Sequence, residues 1–152
     1  MITTMKWTPR RLKFGLNIYP PYLGAGVSVT RLDDDWRELR VSMKLRWYNR
    51  NAVGTHFGGS LYSMVDPHFM LLLMKLLGRK YIVWDKSAHI EFVRAVTGPV
   101  HAVIQISAER EQQIRQNAES GEKTLPEFEI LIRDEDEKLV ARVKKVLYVR
   151  LR

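Results

Sequence analysis

A chain of 152 residues with 45% hydrophobic content suffices to bury one proper core and leaves little room for a second domain. It contains no Cys, which excludes disulfides, thiolate nucleophiles and cysteine metal sites and fits a reducing, cytoplasmic setting. The formal net charge of +8 points to anionic partners, yet Lys and Arg are spread along strand-like segments. No helix-turn-helix, zinc-finger or ribonucleoprotein-type aromatic motif accompanies them, so a nucleic-acid partner would rest on charge alone.

In chain order, Met1 to Trp7 lacks the apolar stretch of a signal peptide, and the longest apolar run, Phe69 to Met74, is too short to span a bilayer. Thr8-Pro9 reads as an N-cap and N1 pair opening a short basic helix to about Asn17, stopped by Tyr19-Pro-Pro-Tyr22. Residues 1–23 thus form an N-terminal helical flap. Gly24 to Thr30 reads as a first strand. Arg37 to Trp47 reads as a second, since Leu39, Val41, Met43, Leu45 and Trp47 alternate with polar residues and give one dry face. Residues 58–77 are apolar nearly all round and predict a central buried helix ending near Gly78. After a turn at Gly78-Arg-Lys80, Ser87 to Val96 is expected to bury Ala88, Ile90 and Phe92. Val100 to Ala108 is expected to bury Val100, Ala102, Ile104 and Ile106, with Thr97-Gly-Pro99 closing a hairpin between the two strands. A polar helical insert over 109–121, with Gly121 as stop, precedes strands near Glu127 to Arg133 and Leu139 to Leu151, joined by the acidic turn Asp134-Glu-Asp-Glu137. Residues 1–152 read as a single α+β domain with an antiparallel sheet against one helix.

The segment Asn51 to Asp66 concentrates the chemistry: a glycine-marked polar turn opens into an apolar helix carrying one carboxylate. Adjacent Gly58 and Gly59 let a backbone approach closely. Free amides at a helix start polarise a carbonyl oxygen; the alternative is that both glycines serve helix–sheet packing. Asp66, about two turns further on, is either a carboxylate acting on a bound group or the N-cap of a helix restarting at Pro67. Asn51 is either a turn residue or a side-chain amide directed at a ligand. His56, His68, His89 and His101 show no metal-ligand spacing, so no metal is expected; His56 alone lies near the segment, where a turn histidine is ordinarily a surface or capping residue. Ser60 and Ser63 lack the Gly-x-Ser-x-Gly frame of a nucleophile elbow. In the last strand, Lys145 alone interrupts the parity of Leu139, Ala141, Val143, Leu147, Val149 and Leu151. Either a bulge at Lys144-Lys145 turns both ammonium groups to solvent, or they contact a phosphate. Arg94, in phase with Ala88, Ile90 and Phe92, either makes such a contact or marks the wet end of a strand.

This segment resembles the hotdog-fold thioesterase superfamily in its phenylacetate-type branch, where Asn-x-x-Gly-x-x-His-Gly-Gly precedes an acid on the central helix. Asn51, Gly54, Gly58, Gly59 and Asp66 fall on that pattern. Phe57 stands at the family's histidine position, with His56 one residue earlier. Val53-Gly-Thr-His-Phe-Gly-Gly-Ser-Leu-Tyr62 and Tyr81-Ile-Val-Trp-Asp-Lys86 are similar to a thioesterase-like subgroup of unknown function. The resemblance implies a hotdog fold, its antiparallel sheet wrapped around a long central helix. It also implies cofactor-free hydrolysis of acyl-CoA or a related acyl thioester, whose phosphates would account for the basic balance. By the same resemblance Asp66, Asn51 and Gly58 are catalytic, and Gly59, Phe57, His56 and Gly54 bind substrate. A homodimer or dimer of dimers is implied, the Asn51–Gly59 turn of one chain facing Asp66 of the other. Phe57 in place of histidine motivates the alternative, a non-catalytic acyl-thioester or lipid binder.

Overall fold

Thr8 caps the first helix, α1 (Pro9–Asn17), its hydroxyl accepting from the Arg11 amide at 3.3 Å. The structure, a computed structural model, describes residues 7–152, so residues 1–6 of the expected flap lie outside it. Pro20 and Pro21 do more than stop α1. They occupy the first turn of a second short helix, α2 (Pro20–Ala25), where a proline's missing N–H costs nothing. Gly24 is therefore helical, and the first strand begins later than expected, as β1 (Val27–Leu32).

The second strand, β2 (Glu38–Met43), buries Leu39, Val41 and Met43 as the alternation predicts, but ends before Leu45 and Trp47; Trp47 is 85% exposed. The expected single helix over 58–77 is two helices, α3 (Gly58–Ser63) and α4 (His68–Leu77), separated by turns at Asp66-Pro67. Pro67 supplies no N–H, so the ladder breaks there. Then follow β3 (Tyr81–Phe92), β4 (Val100–Gln105), α5 (Ala108–Ala118), β5 (Glu127–Asp134) and β6 (Leu139–Leu151). Ser107 caps α5, accepting from the Arg110 amide at 3.1 Å.

The six strands form one antiparallel sheet in the order β1-β2-β4-β5-β6-β3. The α+β class holds, but the expected hairpin at Thr97-Gly-Pro99 does not form. β4 lies between β2 and β5, while β3 pairs with β6 and forms the far edge. Nor does this chain bury Ala88, Ile90 and Phe92; Phe92 is 57% exposed. In β6 the inward parity runs unbroken through Ala141, Val143, Lys145, Leu147 and Val149, all buried, which corrects the bulge expected at Lys144-Lys145. The bulge lies across the ladder in β3, between Asp85 and Ser87.

The two sheet edges differ. At β1, the Asn17 side chain donates to the Val29 carbonyl at 3.0 Å and accepts from its amide at 2.7 Å, so α1 caps that edge. At β3 the outer edge is bare over twelve residues among the described residues. Between β2 and α3 the chain is tied down by buried Asn49. Its amide nitrogen donates to the Ala25 and Lys44 carbonyls, its oxygen accepts from the Arg46 amide at 2.6 Å, and its own carbonyl accepts from Phe57. Asn49 occupies the space that a side chain at Gly26 would need; Gly26 ends α2 at φ 79°. Asn49→Ala strands three backbone groups and is expected to cost about 2–4 kcal/mol in urea unfolding.

His68, the first residue of α4, is fully buried, its Nε2 lying 3.1 Å from the Tyr22 hydroxyl and 3.0 Å from the Met64 carbonyl. Burial pushes its pKa down to about 4 from 6.5, against a smaller opposing effect of the Met64 carbonyl. The unfolded chain therefore binds the extra proton between those values, and stability falls as pH drops through that window. Relative to His68→Asn, which has no titrating ring, the wild type is expected to lose about 3 kcal/mol between pH 7 and pH 4. A pH series of urea unfolding curves checks it; a constant difference between the two proteins would contradict the assignment.

Candidate active site

The Asn51 turn is built by Asn51 itself. Its oxygen accepts from the Val53 and Thr55 amides at 3.1 and 2.9 Å, and its nitrogen donates to Thr55 Oγ1 at 2.8 Å and to the His56 carbonyl at 3.2 Å. Both lone pairs and both protons of the amide are thus engaged inside the turn. Gly54, at φ 86°, forms its tip and donates to the Asn51 carbonyl at 3.0 Å. His56 is not the surface residue expected of a turn histidine. It is buried, with Nε2 2.8 Å from the Gly98 carbonyl, which requires the proton on Nε2 and leaves buried Nδ1 without a partner.

Phe57 precedes α3 in an extended conformation and is 54% exposed, its ring lying over Gly59. Gly58 lies under the Phe92 ring, where a Cβ would come within 2.9 Å of it. Both glycines therefore serve close packing. Their amides open α3 and meet no acceptor among the described residues. Asn51, Thr55, His56, Gly58 and Leu61 line a cleft of about 390 Å³ whose far wall is the end of β3 and the chain beyond, Phe92 to Ala95.

Asp66 does not line that cleft. It belongs to a second cluster, with Tyr62, Asp85 and Lys145. Its carboxylate caps nothing, which removes the N-cap alternative for α4. Oδ1 accepts from the Tyr62 hydroxyl at 2.6 Å and from Lys145 Nζ at 2.9 Å. Nζ also donates to the Asp66 carbonyl at 2.7 Å, a group left without a helical amide at the break. Asp85 Oδ1, buried and without a hydrogen-bond donor, lies 2.9 Å from Nζ as an ion pair. Lys145 is 1% exposed; Asp66 keeps 46% of its side chain exposed, and no protein group engages its Oδ2 among the described residues.

The electrostatics follow from this packing. Burial alone would raise the Asp66 pKa, but the bonds from Tyr62 and Lys145 outweigh it and hold the carboxyl below the usual carboxylate value. For Lys145, burial favours the neutral amine, yet its two carboxylates overcome that and keep it an ammonium. Asp85 is raised, because its burial exceeds the help it receives from Lys145. Asp66 is thus an ionised group with one oxygen fixed and the other presented outward.

The structure therefore brings Asn51, Gly54, His56, Gly58 and Gly59 to one region and Asp66 to another. Both border the same bare strand: Phe92 faces the first and Asp85 the second, roughly 20 Å apart along β3 at about 3.3 Å per residue. Tyr62, Asp85 and Lys145 are the residues that sequence reasoning did not assign. For Lys145 the signal was its unbroken phase with the core of β6.

At the level of sequence, no curated protein matches this chain. Solved structures do. A Pseudomonas aeruginosa protein described as of unknown function and a probable thioesterase superposes with a TM-score of 0.79 at 20% identity, over 95% of this chain and 97% of that one. A protein of unknown function from Chlorobaculum tepidum gives 0.74 at 17%, over 95% and 98%. A Haemophilus influenzae thioesterase gives 0.69 at 16%, over 99% and 96%. At such identities the likeness carries the fold, an α+β arrangement consistent with the hotdog thioesterases, and not the chemistry. The model of one family, a domain of unknown function (DUF4442), matches residues 9–149, and the chain belongs to that family.

Proposed function

We propose that this protein hydrolyses acyl thioesters of the acyl-CoA class, with Asp66 as the acting carboxylate. The observation that carries the reading is the state of Asp66: ionised, anchored through Oδ1 by Tyr62 and Lys145, and open at Oδ2. An oxygen so held takes a proton from a water as that water's oxygen bonds to the thioester carbon. The carbonyl oxygen, gaining charge, would meet the unpartnered Gly58 amide; the C–S bond then breaks as Asp66 returns its proton to the leaving sulfur, releasing the thiol and the acid and restoring the carboxylate. Structural neighbours described as a probable thioesterase and a thioesterase support the reaction class, thioester hydrolysis. Gly59, Phe57, His56 and Gly54 flank the acyl group in this reading. Asn51, whose amide is fully engaged, acts by holding the turn that presents Gly58. No cofactor takes part, and a Cys-free chain suits the cytoplasm.

The reading places the site across two chains. Gly58 lies against Phe92 at the end of β3 and Asp66 near its middle, beside Asp85 and Lys145, and β3 is the edge left bare while α1 caps the other. Antiparallel pairing of two β3 edges about a two-fold axis near Ala88 would set the Phe92 end of one strand beside the Asp85 end of its partner. It would also cover Ala88 and Phe92, which stay exposed in this chain, and the half-buried Ile90 between them. A homodimer, alone or doubled into a tetramer, thus supplies two composite sites.

A panel of acyl-CoA esters, followed by thiol release, tests the activity. Asp66→Asn is expected to fold normally and to lower turnover at least about 100-fold. Full turnover in that variant would remove Asp66 from the chemistry. Binding of acyl-CoA without any turnover in the wild type would instead favour a non-catalytic thioester binder, the reading motivated by Phe57 at the family's histidine position.

A further inference from the structure

A lysine on the central face of a sheet is costly unless its charge is matched, and this one meets two carboxylates and a backbone carbonyl. β6 places Lys145 in phase with Val143 and Leu147, so its side chain enters the layer between sheet and helices. Its cross-strand neighbours are Ala88 and Phe128. The β3 bulge then supplies the counter-charge. Below it, Ser87 and Ala88 pair with Val146 and Lys145; continued unbroken, that register would set Asp85 opposite Tyr148, on the outward face. The extra residue, Lys86, shifts Asp85 opposite buried Leu147 and turns it inward to the ammonium. From the other side, the helix break at Pro67 frees the Asp66 carbonyl, and Nζ takes the place of the missing helical amide. A strand bulge and a helix break therefore converge on one nitrogen.

We infer that Lys145 is the positioning residue of this site and Asp85 its counter-charge: through the Asp66 carbonyl and Oδ1 together, the ammonium fixes the carboxylate so that Oδ2 is the one oxygen offered to a substrate water. The inference rests on the catalytic reading of Asp66. Two bonds from one ammonium to a residue's backbone and side chain remove both its rotamer freedom and its backbone play. Asp85 keeps the ammonium from belonging to Asp66 alone, so the catalytic carboxylate is held without being wholly neutralised.

The titratable groups around Asp66, taken element by element, are Tyr22 on α2, Tyr62 on α3, His68 on α4, Asp85 on β3 and Lys145 on β6. Burial raises both tyrosines, which stay protonated at neutral pH, and keeps His68 neutral there. Lys145 and Asp85 remain as the charges that set the behaviour of Asp66. Removing them should act on the Asp66 titration in opposite directions; loss of a purely structural pair would also move that titration but would leave kcat in place, so the fall in kcat with KM unchanged is what marks a positioning role.

The test follows the Asp66 carboxyl by carbon NMR across pH, beside the pH dependence of kcat/KM. In wild type Asp66 titrates below the ordinary carboxylate value. In Lys145→Met both its titration and the acid limb of kcat/KM move up by about one to three pH units, and kcat falls about 100-fold with KM little changed. In Asp85→Asn, which keeps the ammonium, the Asp66 titration stays where it was or moves lower. An Asp66 titration identical in wild type and Lys145→Met would overturn the inference. Should Lys145→Met fail to fold, Asp85→Asn decides, since an upward move of Asp66 there contradicts a positioning ammonium. Full turnover by Asp66→Asn would remove the thioesterase reading alone and leave the NMR titration to judge Lys145.

Discussion

Burial of the Lys145 ammonium beneath the helix break at Asp66-Pro67 is the constraint around which the rest of the molecule is arranged. A lone ammonium at that depth would lose its proton or unfold its surroundings. It survives because a carbonyl, two carboxylates and a phenol oxygen from α3, the break and β3 converge on it. Remove the break and the Asp66 carbonyl returns to a helical amide; remove the bulge and Asp85 turns outward. Features that would count as defects in an idealised helix or strand are here the two supports of one charge. Apolar residues of similar size would fill the same space without the cost of desolvating three charges, so the cluster is better explained by chemistry than by stability.

The same strand that donates Asp85 leaves its outer edge unsatisfied. Bare edges invite pairing, and the opposite edge of this sheet is visibly closed by Asn17. β3 also carries an inward-phased apolar set of which Ala88 and Phe92 stay exposed and Ile90 is half-buried against the core. In the proposed reading, the helix-start amides near Phe92 and the fixed carboxylate near Asp85 would each supply half of an acyl-transfer site. Under that reading, a two-fold axis through the strand's middle would pair the bare edge and bring the two groups together in one interface.

Much of this was legible in the sequence, and the failures have physical causes. Alternation located β2, β4 and β6, Thr8 announced its cap, and the Asn51–Asp66 segment contains both halves of the proposed site. Ala88, Ile90 and Phe92 were expected to be buried because periodicity reports an apolar face without saying whether the chain covers it. Pro67 was visible, but an apolar run around it reads as one helix until the missing N–H is counted. Lys145 was assigned to a bulge because a charge in phase with a core reads as an error of register. The bulge was real but lay in β3, where the single extra residue leaves no mark on composition. Asp85 stood within the quoted Tyr81–Lys86 stretch, yet no one-dimensional pattern joins it to a lysine sixty residues later.

The most direct measurement of the composite site mixes two inactive proteins. Asn51→Ala chains, which lose the turn presenting Gly58, are unfolded and refolded together with Asp66→Ala chains. Random pairing makes about half the dimers hybrid, each with one intact site of two, so activity should recover to roughly a quarter of wild type. If light scattering shows mixed dimers and the mixture stays as inactive as its parents, the two halves do not meet across chains and the shared-site account is wrong.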